Sequence, residues 1–115
     1  MVDTLYDSQL VQQMSRGNTA FVNQILQVFT EDAAQAVECI KLGIEENDYE
    51  AIRNYAHSLK SSIDLLNISL LKNVIRQIEQ SAIDQSSMSQ IEPLFQILES
   101  HISEVIVAIK KDIKM

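Results

Sequence analysis

The apolar residues of this 115-residue chain recur at steps of three and four positions over long stretches, which is the spacing of one buried face on an α-helix. No stretch shows the strict alternation of a half-buried β-strand. The pattern predicts one short and four longer helices, over residues 7–16, 19–45, 49–66, 70–83 and 90–113. Short connections between such helices predict an all-α fold, namely an antiparallel up-down four-helix bundle with a short extra N-terminal helix, and a single domain over 1–115.

Residues that commonly cap helices lie near each predicted boundary. An N-cap side chain accepts a hydrogen bond from a free backbone N–H of the first turn, and the candidates are Asp7, Asn18, Asp48, Ser69 and Ser89. Ser89 also pairs with Glu92 as a capping box, which would place Pro93 in the first turn. Asn67 is expected to close the third helix because asparagine tolerates the left-handed conformation. Leu5 or Tyr6 is expected to pack across the end of the bundle.

Composition and charge exclude several classes of function. A net charge of −7 and a pI near 4.6 argue against a nucleic-acid partner, which needs a basic surface. No run approaches the roughly 18 apolar residues of a membrane span, so a cytoplasmic protein is expected. The single cysteine, Cys39, excludes an internal disulfide and is interpreted as a small buried hydrophobic residue.

The third helix carries the candidate chemistry. Its predicted buried stripe comprises Ile52, Tyr55, Ala56, Leu59, Ile63 and Leu66. At about 100° per residue this stripe leaves His57 close to fully exposed. Arg53, four residues earlier, and Lys60, three residues later, are its neighbours on the helix surface. An exposed imidazole between two cations is poorly suited to binding a metal cation and well suited to carrying an anion.

An unperturbed imidazole is largely neutral and nucleophilic at cellular pH, so His57 could take a phosphoryl group while Lys60 and Arg53 offset its charge. The small side chains of Ser58, Ser61 and Ser62 leave room for another protein to approach, and Asp64 completes the rim. These four residues are therefore predicted to bind the partner.

The stretch from Asp48 to Glu79 resembles the histidine-containing phosphotransfer (HPt) domain family. The family signature is Ala-His-x-Leu-Lys-Gly-Ser, then a Leu-Gly pair, then Leu…Leu-Glu. The corresponding residues here are Ala56-His57-Ser58-Leu59-Lys60-Ser61-Ser62, then Leu66-Asn67, then Leu71…Ile78-Glu79. Residues 5–47 are similar to the family's leading helices.

The resemblance implies a phosphorelay carrier without turnover of its own. His57 would accept a phosphoryl group from a receiver-domain aspartate and pass it to another receiver domain. Lys60 would neutralise the phosphoryl group, and Glu79 occupies the position of a Glu or Gln that can hydrogen-bond the histidine ring. The implied partners are response-regulator receiver domains and a hybrid sensor histidine kinase. The implied protein is a monomer with no cofactor, and the Mg²⁺ belongs to the receiver.

Two positions depart from the family signature, because Ser61 and Asn67 stand where glycines are expected. Ser61 adds a side chain where a receiver would press against the helix, about one turn beyond His57. This departure leaves open a second hypothesis, a non-phosphorylated helical adaptor that docks receiver or other signalling domains. A kinase is not supported, because an ATP-binding domain needs glycine-rich loops. His101 lacks a lysine at the matching offset and is interpreted as a surface or bundle-edge residue.

Overall fold

The computed structural model describes residues 5–113, and over this range it consists of α-helices without strands. The helices are α1 (Gln9–Met14), α2 (Thr19–Glu45), α3 (Tyr49–Leu65), α4 (Ser69–Ile83) and α5 (Met88–Ile113). The helices α2 and α4 each pack against both α3 and α5, while α1 lies against α2. Consecutive long helices joined by short turns and packed in a closed ring form an antiparallel four-helix bundle. The predicted all-α bundle with a short N-terminal helix is confirmed.

The predicted apolar stripes fill the centre of the bundle, with one exception in α3. Ile52 and Ile63 are completely buried and hold the inner face of this helix. The prediction that Tyr55 belongs to the buried stripe is wrong, because this side chain is 37% exposed. Tyr55 lies at the stripe's edge, where its interaction with the half-buried Cys39 raises the pKa of its phenol. At the rim, a tyrosine can cover the core with its ring while its polar hydroxyl stays accessible to water.

The starts of α2 and α3 and the end of α3, the helix that carries His57, form as predicted. The Asn18 carboxamide oxygen accepts from the Phe21 N–H at 3.2 Å, and the Asp48 carboxylate accepts from the Ala51 N–H at 3.1 Å. Asn67 has a φ of 50°, so it takes the left-handed conformation that ends α3. These three predictions are confirmed.

Three other predicted caps are wrong. The first helix starts at Gln9 with Ser8 in the N-cap position, although the Asp7 carboxylate still accepts from the Gln9 N–H at 2.9 Å. Ile68, not Ser69, occupies the N-cap position of α4, because its apolar side chain is buried in the core. The fifth helix starts one residue before Ser89.

The early start of α5 changes the roles of its first polar residues. The Ser89 hydroxyl contacts the Ser87 hydroxyl at 2.9 Å from inside the helix, so the predicted capping box with Glu92 does not form. Pro93 is then the sixth residue of α5 and lies beyond the first turn. It is exposed, so water can reach the carbonyl that its missing N–H leaves free.

The segment before α1 closes one end of the bundle. Leu5 and Tyr6 pack against the core, as predicted. The Tyr6 hydroxyl donates to the Asp112 carboxylate on α5, and the Asp7 N–H donates to the Leu66 carbonyl at 2.7 Å. The segment before α1 is therefore tied to the ends of both α3 and α5.

Gly43 allows α2 to approach the start of α3 closely. A Cβ atom at this position would lie 2.9 Å from Cγ1 of Ile52 and 3.3 Å from the Asp48 carbonyl oxygen. We expect Gly43→Val to lower the free energy of unfolding by about 1–3 kcal/mol, because the added atoms would push α3 outward. Chemical denaturation measures the change. Ala34→Val, an exposed site on the same helix, is the control, and an equal loss there would contradict this account.

Candidate functional site

His57 stands on the outer face of α3, where its side chain is 68% exposed. The buried residues Ala56 and Leu59 on either side face the core, so the helix cannot rotate to bury the imidazole without exposing apolar surface. The ring is therefore fixed in a position that another molecule can reach.

A carboxylate from the neighbouring helix meets the imidazole. Glu79 lies on α4 beside the fully buried Ile78, which directs it to the seam between α3 and α4. Its Oε2 is 2.7 Å from Nδ1 of His57, and its Oε1 is 2.8 Å from Nζ of Lys60. The Glu79 side chain is only 14% exposed. One carboxylate thus holds both the predicted phosphoacceptor and the predicted phosphoryl-neutralising lysine of α3.

The same contacts fix which ring nitrogen carries the proton. The hydrogen bond from Lys60 lowers the pKa of the Glu79 carboxyl, and the bond with His57 adds to this effect, although partial burial opposes it. An ionised carboxylate can only accept hydrogen bonds, so Nδ1 of His57 is the protonated nitrogen. Nε2 then carries the free lone pair, on the side of the ring away from Glu79. The site presents a nucleophilic nitrogen to solvent.

The lowered pKa of Glu79 predicts a pH-dependent contribution to stability. A carboxyl that ionises more readily in the folded state stabilises the fold above its unfolded pKa, and this gain is lost as the pH falls through the folded pKa. We expect Glu79→Gln to lower the free energy of unfolding by roughly 1 kcal/mol at neutral pH and to have no effect in acid below that pKa. Denaturation across the pH range measures this, and a difference that stays constant into acid would contradict it.

The structure places the predicted partner-binding serines around His57. Ser58 and Ser61 are exposed, and Ser62 is half-buried. Ser61 follows His57 by four residues, so the two side chains are neighbours on the helix surface. Within residues 5–113, Arg53 is exposed and forms no hydrogen bond or ion pair. Arg53 therefore does not share the contacts that join His57, Lys60 and Glu79.

Asp64 has a partner that the sequence analysis missed. Its carboxylate accepts from the Arg76 guanidinium at 2.8 Å, across the same seam between α3 and α4. The Asn67 carboxamide accepts from Nζ of Lys72 at 2.7 Å farther along. Arg76 precedes Glu79 by three residues and therefore lies on the same face of α4, which is the signal that could have identified it. The seam beyond the site is thus lined by polar pairs.

The second histidine lies outside the site formed by His57, Lys60 and Glu79. His101 is half-buried on α5, and its side chain makes no hydrogen bond within the described range.

Residues 5–113 contain no group of three or more His, Cys, Asp or Glu side chains that could hold a metal ion. In the same range, no helix has the length and apolar character needed to cross a membrane.

Two solved structures share the fold of this chain. The chain is similar to histidine-containing phosphotransfer protein B (HptB) from Pseudomonas aeruginosa PAO1, with a TM-score of 0.85 and 18% identity over 98% of this chain and 97% of that one. It is also similar to the HPT domain of the Hpt sensor hybrid histidine kinase from Shewanella, with a TM-score of 0.78 and 17% identity over 94% and 92% of the two chains. Comparison with curated protein sequences gives no match.

The comparison with protein families covers most of the chain and includes every candidate site residue. The Hpt domain model matches residues 24–108, a range that contains all of α3 and α4. Members of this family are histidine phosphotransfer proteins that interact with receiver domains and histidine kinases in phosphorelays. The chain belongs to the Hpt domain family.

Proposed function

We propose that His57 is the residue that carries the phosphoryl group in this protein. The observation that carries the proposal is the contact of Nδ1 with Glu79, which leaves Nε2 exposed one helical turn from Lys60. The Nε2 lone pair attacks the phosphorus of an aspartyl phosphate on a receiver domain. The N–P bond forms as the P–O bond to the aspartate breaks, and the aspartate leaves as a carboxylate. Nδ1 keeps its proton, which Glu79 holds throughout.

Lys60 supplies the charge that this transfer needs. The phosphoryl group brings negative oxygens to the site, and an ammonium one turn away offsets them in the transition state. Nothing in this sequence of steps calls for a cofactor bound to this chain, and the Mg²⁺ belongs to the receiver. The protein carries the group from one receiver aspartate to another and has no turnover of its own.

The docking face that we propose extends from His57 onto α2. Gly43 of α2 closely approaches Ile52 of α3, so in these antiparallel helices the part of α2 just before Gly43 lies at the level of His57. Two exposed apolar residues of α2 lie on either side of this level, namely Val28, which is 47% exposed, and Leu42, which is 51% exposed. Exposed apolar side chains near a reactive group are suited to transient contact with another protein.

We propose that the protein acts as a cytoplasmic monomer. The four long helices already cover one another's apolar stripes in a closed ring. A monomer leaves the surface around His57 free for the receiver domain of a response regulator or of a hybrid sensor histidine kinase. These partners exchange phosphoryl groups in the cytoplasm, which is the compartment that the proposal requires.

A transfer assay tests the proposal against the adaptor hypothesis. Receiver domains that carry a labelled aspartyl phosphate are mixed with the protein and Mg²⁺, and the label is followed on each chain. We expect this protein to become labelled. The label should be lost in acid and kept in base, because a phosphorus–nitrogen bond to histidine has this stability. Receivers that bind the protein tightly and never label it would favour the adaptor.

Ser61 is expected to limit the approach of the receiver. Its side chain is exposed on the face that carries His57, where the family signature has glycine. We expect Ser61→Gly to raise the rate of transfer from a given receiver roughly threefold to tenfold, because the backbone can come closer to the partner. Rapid-quench kinetics measure the rate, and Ser100→Gly, an exposed site on α5, is the control. A slower Ser61→Gly variant would show that the hydroxyl assists the transfer.

A further inference from the structure

In the unphosphorylated protein, the lysine that should meet the phosphoryl group is already bound. Nζ of Lys60 lies 2.8 Å from Oε1 of Glu79, while the other oxygen of the same carboxylate holds the His57 ring. The Lys60 side chain is 26% exposed and that of Glu79 is 14% exposed, so water competes weakly for this pair. Glu79 and an incoming phosphoryl group would therefore compete for the same ammonium.

We propose that phosphorylation of His57 moves Lys60 from Glu79 to the phosphoryl oxygens, and that Glu79, by competing for Lys60, weakens the hold of the site on the phosphoryl group. This inference rests on the proposed role of His57. It assigns Glu79 a second task besides orienting the ring, since the residue also sets how readily the group is given up. Glu79 is in this sense a positioning residue that acts through Lys60.

The geometry of the side chains makes this exchange possible. The ammonium is a compact charge on a flexible four-carbon chain, anchored three residues from His57 on the same helix. A phosphoryl group on Nε2 carries roughly two negative charges, which exceeds the single charge of Glu79. The Nδ1–H bond to Oε2 keeps the ring in place, so the exchange requires no movement of α3 or α4.

A neutral residue at position 79 removes the competition and keeps the ring contact. In Glu79→Gln the amide oxygen can still accept from Nδ1–H of His57, whereas the amide nitrogen is a donor and cannot bind the Lys60 ammonium. Lys60 is then free for the phosphoryl group. The phosphorylated form of this variant should consequently be favoured relative to the wild type.

The test measures the equilibrium of phosphoryl exchange between this protein and one receiver domain, approached from both directions. We expect Glu79→Gln to shift the equilibrium toward the phosphorylated protein by roughly threefold to tenfold, the effect of one partly buried ion pair. In a Lys60→Gln background, the same substitution should change the equilibrium constant by less than about twofold, because the lysine for which Glu79 and the phosphoryl group compete is absent. Glu104→Gln, which removes an exposed carboxylate on α5, controls for net charge.

Each result decides between the alternatives. An unchanged or lower equilibrium constant for Glu79→Gln would overturn the exchange of Lys60. An equal increase in the Lys60→Gln background, or in Glu104→Gln, would also overturn it, because the effect would then be general electrostatics. If both the wild-type protein and the Glu79→Gln variant remain unlabelled, this result would overturn the role of His57 itself. The failure of this inference is therefore distinct from failure of the proposed function.

Discussion

Replacing His57 with glutamine is expected to abolish phosphoryl transfer to this protein, reducing the label to the background of the assay. Glutamine can still hydrogen-bond the Glu79 carboxylate, but an amide nitrogen has no free lone pair with which to attack phosphorus. Because the His57 side chain is 68% exposed, the substitution should leave the fold and the free energy of unfolding almost unchanged. Incubation with a labelled receiver domain followed by gel separation measures the loss.

The second histidine provides the matched control. His101→Gln is the same chemical change on α5, at a half-buried position whose side chain forms no hydrogen bond or ion pair with Glu79 or Lys60. We expect this variant to accept the label at the wild-type rate within about twofold. Labelling of His57→Gln, or loss of labelling in His101→Gln, would contradict the assignment of His57 as the carrier.

Truncation of Lys60 is the substitution with the second largest expected effect. We expect Lys60→Ala to slow transfer from a receiver by roughly tenfold to a hundredfold, because no other cation contacts Glu79 or His57 among residues 5–113 to offset the developing charge. Lys60→Arg should recover part of the rate, since it keeps the charge but changes the hydrogen-bond geometry. Single-turnover kinetics with excess receiver measure the chemical step.

A lysine farther along the same seam separates a local effect from a general one. Nζ of Lys72 donates to the Asn67 carboxamide at 2.7 Å, and Lys72→Ala removes the same charge as Lys60→Ala. We expect Lys72→Ala to leave the rate within about twofold of the wild type. Equal losses in the two alanine variants would contradict a specific role for Lys60, and a Lys60→Ala variant as fast as the wild type would exclude that role.

The exposure of His57 could be predicted from sequence because it depends only on the rotation of one helix. The apolar residues of α3 fix which face is buried, and a residue some 150° from that face must lie outside. The contact between His57 and Glu79 is different, since 22 residues separate them in the chain. Its geometry depends on how α4 is rotated and shifted against α3, which periodicity does not specify. Only the family resemblance pointed to Glu79.

The errors in the predicted helix starts have a common physical origin. Ser69 and Ser89 are good N-cap residues by type, but apolar residues that pack into the core, the buried Ile68 and the half-buried Met88, lie at the starts of α4 and α5. A cap contributes about 1 kcal/mol, whereas burial of an isoleucine contributes about 1.5–3 kcal/mol. Tyr55 was misplaced for a related reason, because an aromatic ring at the edge of a stripe can satisfy the periodicity while remaining partly exposed.

The most direct test of the account follows one phosphoryl group through two receiver domains. A first receiver, labelled on its aspartate, is mixed with a second receiver that it cannot label directly, and this protein is added. We expect label to appear on His57 and to pass to the second receiver. With His57→Gln instead of the wild type, the label should stay on the first receiver. Label that reaches the second receiver with His57→Gln as fast as with the wild type would contradict the central claim.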